Sequence, residues 1–313
     1  MLGRTAGGLF WMFRYLERSE NIARLVDAGF RIALTRFDAA DDEWASVVET
    51  SGVKGLYLEQ HDQFDATSVI NFLLRDKSNP SSVISVVDMA RNNARMVRAS
   101  LTREVWEATN NCWMTLKSVM ARPVKERELP EVLDVIRKQS AQVRGALHGT
   151  MLRNDIFNFA RLGTFLERAD STARILDVKY YVLLPSANYV GSSLDNVQWE
   201  TILRSVSAMR SYRWLYKGEI SPKGIADFLI MDHRMPRSLA FCYAKIDDNL
   251  RFLSKDYDFD APCRELAETI YSRFSNQSID AVFEFGLHEF IESFLSDNDA
   301  LYQQIQRDYG FYG

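Results

Sequence analysis

Chain breakers are scarce. Seven prolines and fifteen glycines make 22 of 313 residues, well under the ~12% usual in globular proteins. So few turn-formers exclude a turn-rich sandwich or propeller. Cysteine is scarce as well: Cys112, Cys242 and Cys263 are odd in number, far apart and set in apolar surroundings. They read as reduced core thiols of a cytoplasmic protein, not as a disulfide framework. Long apolar runs are missing. A run such as "YYVLL" at 180–184 falls far short of the roughly 20 residues of a membrane span. The opening run "LFWMF" is cut off by Arg14 and does not read as a signal peptide. A basic excess is lacking too, since the formal net charge is -4; nucleic acid is therefore not an expected partner. A cytosolic address without membrane contact is expected.

The familiar chemical signatures are also absent. None of the four histidines has a Glu three residues before it, as a carboxylate-bridged di-iron bundle requires. No Cys/His spacing suits zinc, and there is no Walker loop, G-x-G-x-x-G or G-x-S-x-G. No metal and no cofactor are expected. Any catalysis has to come from carboxylates and arginines, or from a partner.

What is present is helical patterning. Apolar residues make up 47% of the chain and charged ones 26%, enough to build a core. Met12, Leu16, Ser19, Ala23, Val26, Phe30 and Ala33 form a stripe that predicts a long helix over 8–35. The same spacing predicts helices near 42–52, 66–75, 82–99, 101–119, 131–149, 154–183, 196–217, 223–230, 238–254, 262–275 and 278–307. No stretch alternates with period two; "SVISVV" at 82–87 runs into a helical pattern and is read as helix. The fold class is all-α, a bundle of about twelve helices.

An internal repeat organises it. "LERSENIARLVD" at 16–27 matches "LERADSTARILD" at 166–177, with six of twelve positions identical at an offset of 150. "FLLRDKSNPSSV" at 72–83 matches "FLIMDHRMPRSL" at 228–239 at an offset of 156, and Trp44 and Trp199 fall between at 155. The drift places an insertion in "LLPSANYVGSS". One domain over 1–313 is expected, with halves of about 1–148 and 149–313 related by an approximate two-fold.

At 100° per residue, Glu17, Glu20, Asn21, Arg24 and Asp27 share one face, and Glu167, Asp170, Arg174 and Asp177 repeat it, with Arg18 and Arg168 at its border. Glu20→Arg24 and Asp170→Arg174 are spaced as i,i+4 ion pairs. The same acids and bases in both halves suit a buried network between halves, or a ligand or catalytic site; a solvated face is the remaining reading. Asp76-x-x-x-Pro80 and Asp232-x-x-x-Pro236 read as turns, each proline fitting the first turn of the next helix. Arg237 would then project from a helix N-terminus, favourable for an anion. Arg91, Arg95 and Arg98 form a basic stripe suited to phosphate or carboxylate, or to pairing with acids such as Glu17 and Glu20.

The doubled "LER", followed by "ARLVD" and "ARILD", resembles the Alpha-E family of bacterial all-helical proteins, named for an ER motif. The resemblance runs along essentially the whole chain, through "MLGRTAGGLFWMFRYLERSENIARL", "NPSSVISVVDMARNNARMVR", "ARLGTFLERADSTARILD" and "FLIMDHRMPRSLAFC". Phe13 departs from the small residue usual there. The resemblance implies a component of a peptide or amide synthesis and modification system, accessory to an ATP-grasp-type ligase and a transglutaminase-like protein. It makes Glu17, Arg18, Glu167 and Arg168 the candidate catalytic residues. Two further readings stay open: an enzyme acting on an activated carboxylate, with Glu17 or Glu167 as base and Arg24, Arg91, Arg95 or Arg98 holding the anion, or a purely structural interaction protein. Arg174 and Arg237 complete the candidate anion-binding set.

Overall fold

A computed structural model describes residues 1, 3–34, 40–183, 193–217 and 220–312. Its first element, α1 (Gly3–Ala33), begins five residues before the apolar stripe predicted, because Ala6, Leu9 and Phe10 are also buried in the core. After it come α2 (Ala40–Ser51), a short α3 (Lys54–Leu58), α4 (Ala66–Leu74), α5 (Val83–Met96), α6 (Arg103–Val119) and α7 (Leu129–Thr150). Beyond residue 150 follow α8 (Asp155–Leu183), α9 (Ser193–Ser205), a short α10 (Met209–Leu215), α11 (Pro222–Ile230), α12 (Leu239–Tyr257), α13 (Pro262–Asn276), α14 (Ile279–Phe285) and α15 (Leu287–Asp308), eight helices against the seven before them. The described residues contain no strand.

Among the described residues fifteen α-helices replace the twelve expected, for local reasons. The helix predicted over 196–217 breaks at Ser207, whose φ of 59° is left-handed, and the one over 278–307 breaks at Gly286 with φ 109°. Buried apolar residues continue on both sides of each break, Ile202, Leu203 and Tyr212 around Ser207 and Val282 and Ile291 around Gly286, so the apolar spacing alone does not mark them. The segment 184–192, where the predicted insertion falls, lies outside the described residues.

Helices α1, α5, α6 and α7 pack as one four-helix group, and α8, α12, α13 and α15 as a second. The groups meet where α1 packs along α8, and α2 and α9 each bridge both long helices. Trp44 on α2 and Trp199 on α9 are buried there. Closeness at the crossing depends on Gly163: a Cβ at that position would stand 2.1 Å from the Phe10 carbonyl oxygen. Its repeat partner on α1 is Phe13, buried in the core.

The D-x-x-x-P turns differ from expectation in one respect. Asp76 and Asp232 each accept a backbone N–H two residues on, at 2.8 and 2.7 Å, forming Asx turns. The helices then start at Val83 and Leu239, three residues later than a proline at the first helical position would place them, behind Ser82 and Ser238, whose hydroxyls cap Ser85 N and Phe241 N. Pro80 and Pro236 therefore stiffen the turn itself, two residues before the cap.

A crossed glutamate–arginine cluster between the long helices

A leucine before the Glu-Arg pair fixes its direction. Leu16 and Leu166 are buried in the core, and one residue on, Glu17 and Glu167 point between α1 and α8, 1% and 4% exposed. Each arginine then lies about 100° further round its helix and reaches the opposite glutamate. Arg18 donates from Nε to Glu167 Oε1 at 2.5 Å and from Nη2 to Oε2 at 2.9 Å. Arg168 does the reciprocal to Glu17, at 2.8 and 3.0 Å. Both are planar two-point pairs, the strongest form of carboxylate recognition by arginine.

Further arginines surround this crossing. Arg14, one turn before Arg18, donates to Glu167 Oε2 at 2.8 Å and stacks on the Tyr302 ring. Arg144 from α7 reaches Glu17 at 3.2 Å and also bonds Glu20. Arg24 donates to Glu20 Oε1 at 2.7 Å, and Arg237 does so at 2.6 Å while also bonding Asn21 Oδ1 at 3.1 Å. Six arginines thus enclose three glutamates.

Burial by itself would raise the glutamate pKa values; the guanidinium charges outweigh it, led by Arg168 at Glu17, Arg237 at Glu20 and Arg18 at Glu167. All three are held below the ordinary range, Glu167 at about 2. Burial opposes the cations of Arg18 and Arg168, but the facing glutamates raise both. Arg237 goes the other way, lowered to about 10 by burial and by neighbouring Arg24. These carboxylates are fixed anions and poor proton acceptors.

Two cavities flank the cluster. The larger, about 340 Å³, opens beside Glu167 and is walled by Arg18, Ser81, Asp170, Ser171 and Arg174 among others. The smaller, about 240 Å³, lies beyond Arg168 and carries Arg144, Arg161 and His148. There burial, then Arg161 and Arg153, lower the His148 pKa. Among the described residues no three metal-ligating side chains converge, and no helix is long and apolar enough to cross a membrane.

The predicted residues divide cleanly. Glu17, Arg18, Glu167 and Arg168 meet at the centre; Arg24 and Arg237 join them, and Arg174 pairs with Asp170 at 2.8 Å on the cavity wall. The face bearing Glu20 and Arg24 is buried, so the solvated-face reading fails. Arg237 does not project from the helix start toward an anion: it precedes the cap and is bound internally by Glu20 and Asn21. Arg91 and Arg95 stand apart on the outer side of α5, and Arg98 in the short 3-10 turn that follows it. Arg91 bonds Asn110 and lies over Trp113, Arg98 lies over Trp106, and neither pairs with Glu17 or Glu20. Periodicity missed Arg14 and Arg144. Arg14 could have been found from its i,i+4 relation to Arg18; Arg144 sits in "AQVRGALHG", which reads as an ordinary surface turn of helix.

An all-α pair of four-helix groups, locked by reciprocal Glu-Arg pairs, is the class the fold and the cluster define. The chain belongs to the Alpha-E family, described as a predicted alpha-helical domain with a conserved ER motif, which matches residues 1–309. It is 22% identical over 268 residues to uncharacterised proteins of Mycobacterium bovis and Mycobacterium tuberculosis, covering 80% of this chain and 30% of theirs. The chain thus spans less than a third of the length of these curated relatives. No solved structure matches it.

Proposed function

We propose that this chain is a non-catalytic component of a peptide- or amide-forming system, holding a small polar substrate beside the crossed Glu-Arg pairs and presenting it to an ATP-grasp-type ligase, with a transglutaminase-like protein as a further partner. The observation that supports binding over catalysis is the state of the glutamates. A general base works best with a pKa near the operating pH, whereas Glu17 and Glu167 are held low by the arginines they face. The arginines are committed to the same pairs, and the cavity beside them has the size of a small-ligand site. The partner classes are those the family resemblance implies. Most of the length of the relatives lies outside the matched region, as suits a part that works with others.

The test is ADP release by a ligase recovered with this chain from its native host, measured with and without added chain. Stimulation by the chain, with no turnover by the chain alone, is the expected result. Reproducible turnover by the pure chain, lost in Glu167→Gln, would overturn the proposal in favour of the enzyme reading.

A further inference from the structure

The halves share their central contacts in reciprocal form. Besides the crossed Glu-Arg pairs, Arg24 donates to the Ser205 carbonyl and Arg174 to the Thr50 carbonyl, at 2.6 and 3.4 Å. Ser140 donates to the Leu16 carbonyl and Asn298 to the Leu166 carbonyl. One position breaks the correspondence. Arg237, just before the cap of α12, sends its guanidinium across to Glu20 and Asn21. Its repeat partner before the cap of α5 is Ser81, and the repeat partners of Glu20 and Asn21 are Asp170 and Ser171. Ser81, Asp170 and Ser171 all line the 340 Å³ cavity. Asp170 has Arg174 as Glu20 has Arg24, but the open space lies where the repeat would bring a second guanidinium and the chain carries Ser81 instead.

We infer that this cavity takes a zwitterionic amine, an amino acid or short peptide whose guanidinium or primary ammonium group docks between Asp170 and Ser171 as Arg237 docks between Glu20 and Asn21. Two observations fix the class. The wall carries as many arginines (Arg14, Arg18, Arg174) as acids (Glu167, Asp170, Asp299), so a ligand of both signs is matched better than a bare anion or a bare cation. Arg18, with its side chain 26% exposed, spends Nε and Nη2 on Glu167 and lies on the same wall to meet a carboxylate end. The inference deepens the substrate-holding role proposed above and rests on it.

The experiment is calorimetric titration of the full chain with L-arginine, L-lysine, L-glutamate and inorganic phosphate, paired with thermal melts. L-Arginine and L-lysine are expected to bind at one site and raise Tm, with glutamate and phosphate weaker. Ser81→Arg places an internal guanidinium in the cavity, so it should keep or raise Tm and weaken L-arginine binding by ~10-fold or more, the loss of hydrogen bonds to charged groups. Asp170→Asn, at a partly exposed wall position, should weaken it comparably. Wild-type affinity in Ser81→Arg, or tighter binding of phosphate than of either basic amino acid, overturns the inference; if Ser81→Arg does not fold, unchanged affinity in Asp170→Asn does so. Binding is read on the isolated chain and ligase stimulation on the pair, so each failure is seen separately.

Discussion

Neither ER glutamate has a partner on its own helix turn that could replace the arginine opposite. Removing a carboxylate leaves buried guanidinium groups unpaired, a loss of about 3–5 kcal/mol for a broken buried pair. Glu167→Gln, which strands Arg14 and Arg18 together, should lower stability by about that amount in urea titrations. Arg95→Ala, on the exposed outer face of α5, should stay within about 0.5 kcal/mol of wild type. Equal effects at the two positions would contradict the assignment of the cluster as the structural centre. The thiols stay out of this chemistry: Cys112 and Cys242 are buried and free, and burial pushes both up to about 12.

At the scale of elements, periodicity located most helices but not their ends. It ran through Ser207 and Gly286 because a left-handed residue changes direction without changing which residues are apolar. It also passed over α3, five residues being too few for a period to register. The crossing of α1 and α8 makes a sharper claim. A methyl at Gly163 would collide with backbone, which cannot rotate away as a side chain can. Gly163→Ala should therefore cost about 1–3 kcal/mol, as overpacking does, despite alanine's better helix propensity. A stabilised variant, measured by urea midpoint, would show that α8 is free to shift.

For the whole molecule, the cluster ties stability to pH. A carboxylate near 4.5 in the unfolded chain and about 2 in the fold stabilises fully above 4.5 and loses that contribution as pH falls through the folded value. Glu17 and Glu20 are shifted the same way. Melting temperature should thus decline steadily from pH 4.5 toward 2, and Glu167→Gln should flatten part of that decline. The same cluster is shared between halves. Fragments 1–148 and 149–313 should each fail to give a cooperative melt, because each would expose one face of the long-helix crossing and half of the charged centre. Two independent transitions in the intact chain, detected by different probes, would separate the halves.

The sequence by itself determined the helical class, the succession of the long helices and the pairing of repeat positions, because periodicity and repetition are properties of the chain alone. It also singled out Glu17, Arg18, Glu167 and Arg168, since the same two residues recurring in both halves need no coordinates to notice. Only the tertiary structure decided that each glutamate faces the other half's arginine, that Arg14, Arg144 and Arg237 close around them, and that Arg91, Arg95 and Arg98 do not. A helical period says which residues share a face; what that face meets depends on how two helices some 150 residues apart in sequence cross. The cavity beside Glu167, with Ser81 on its wall, belongs to the same level.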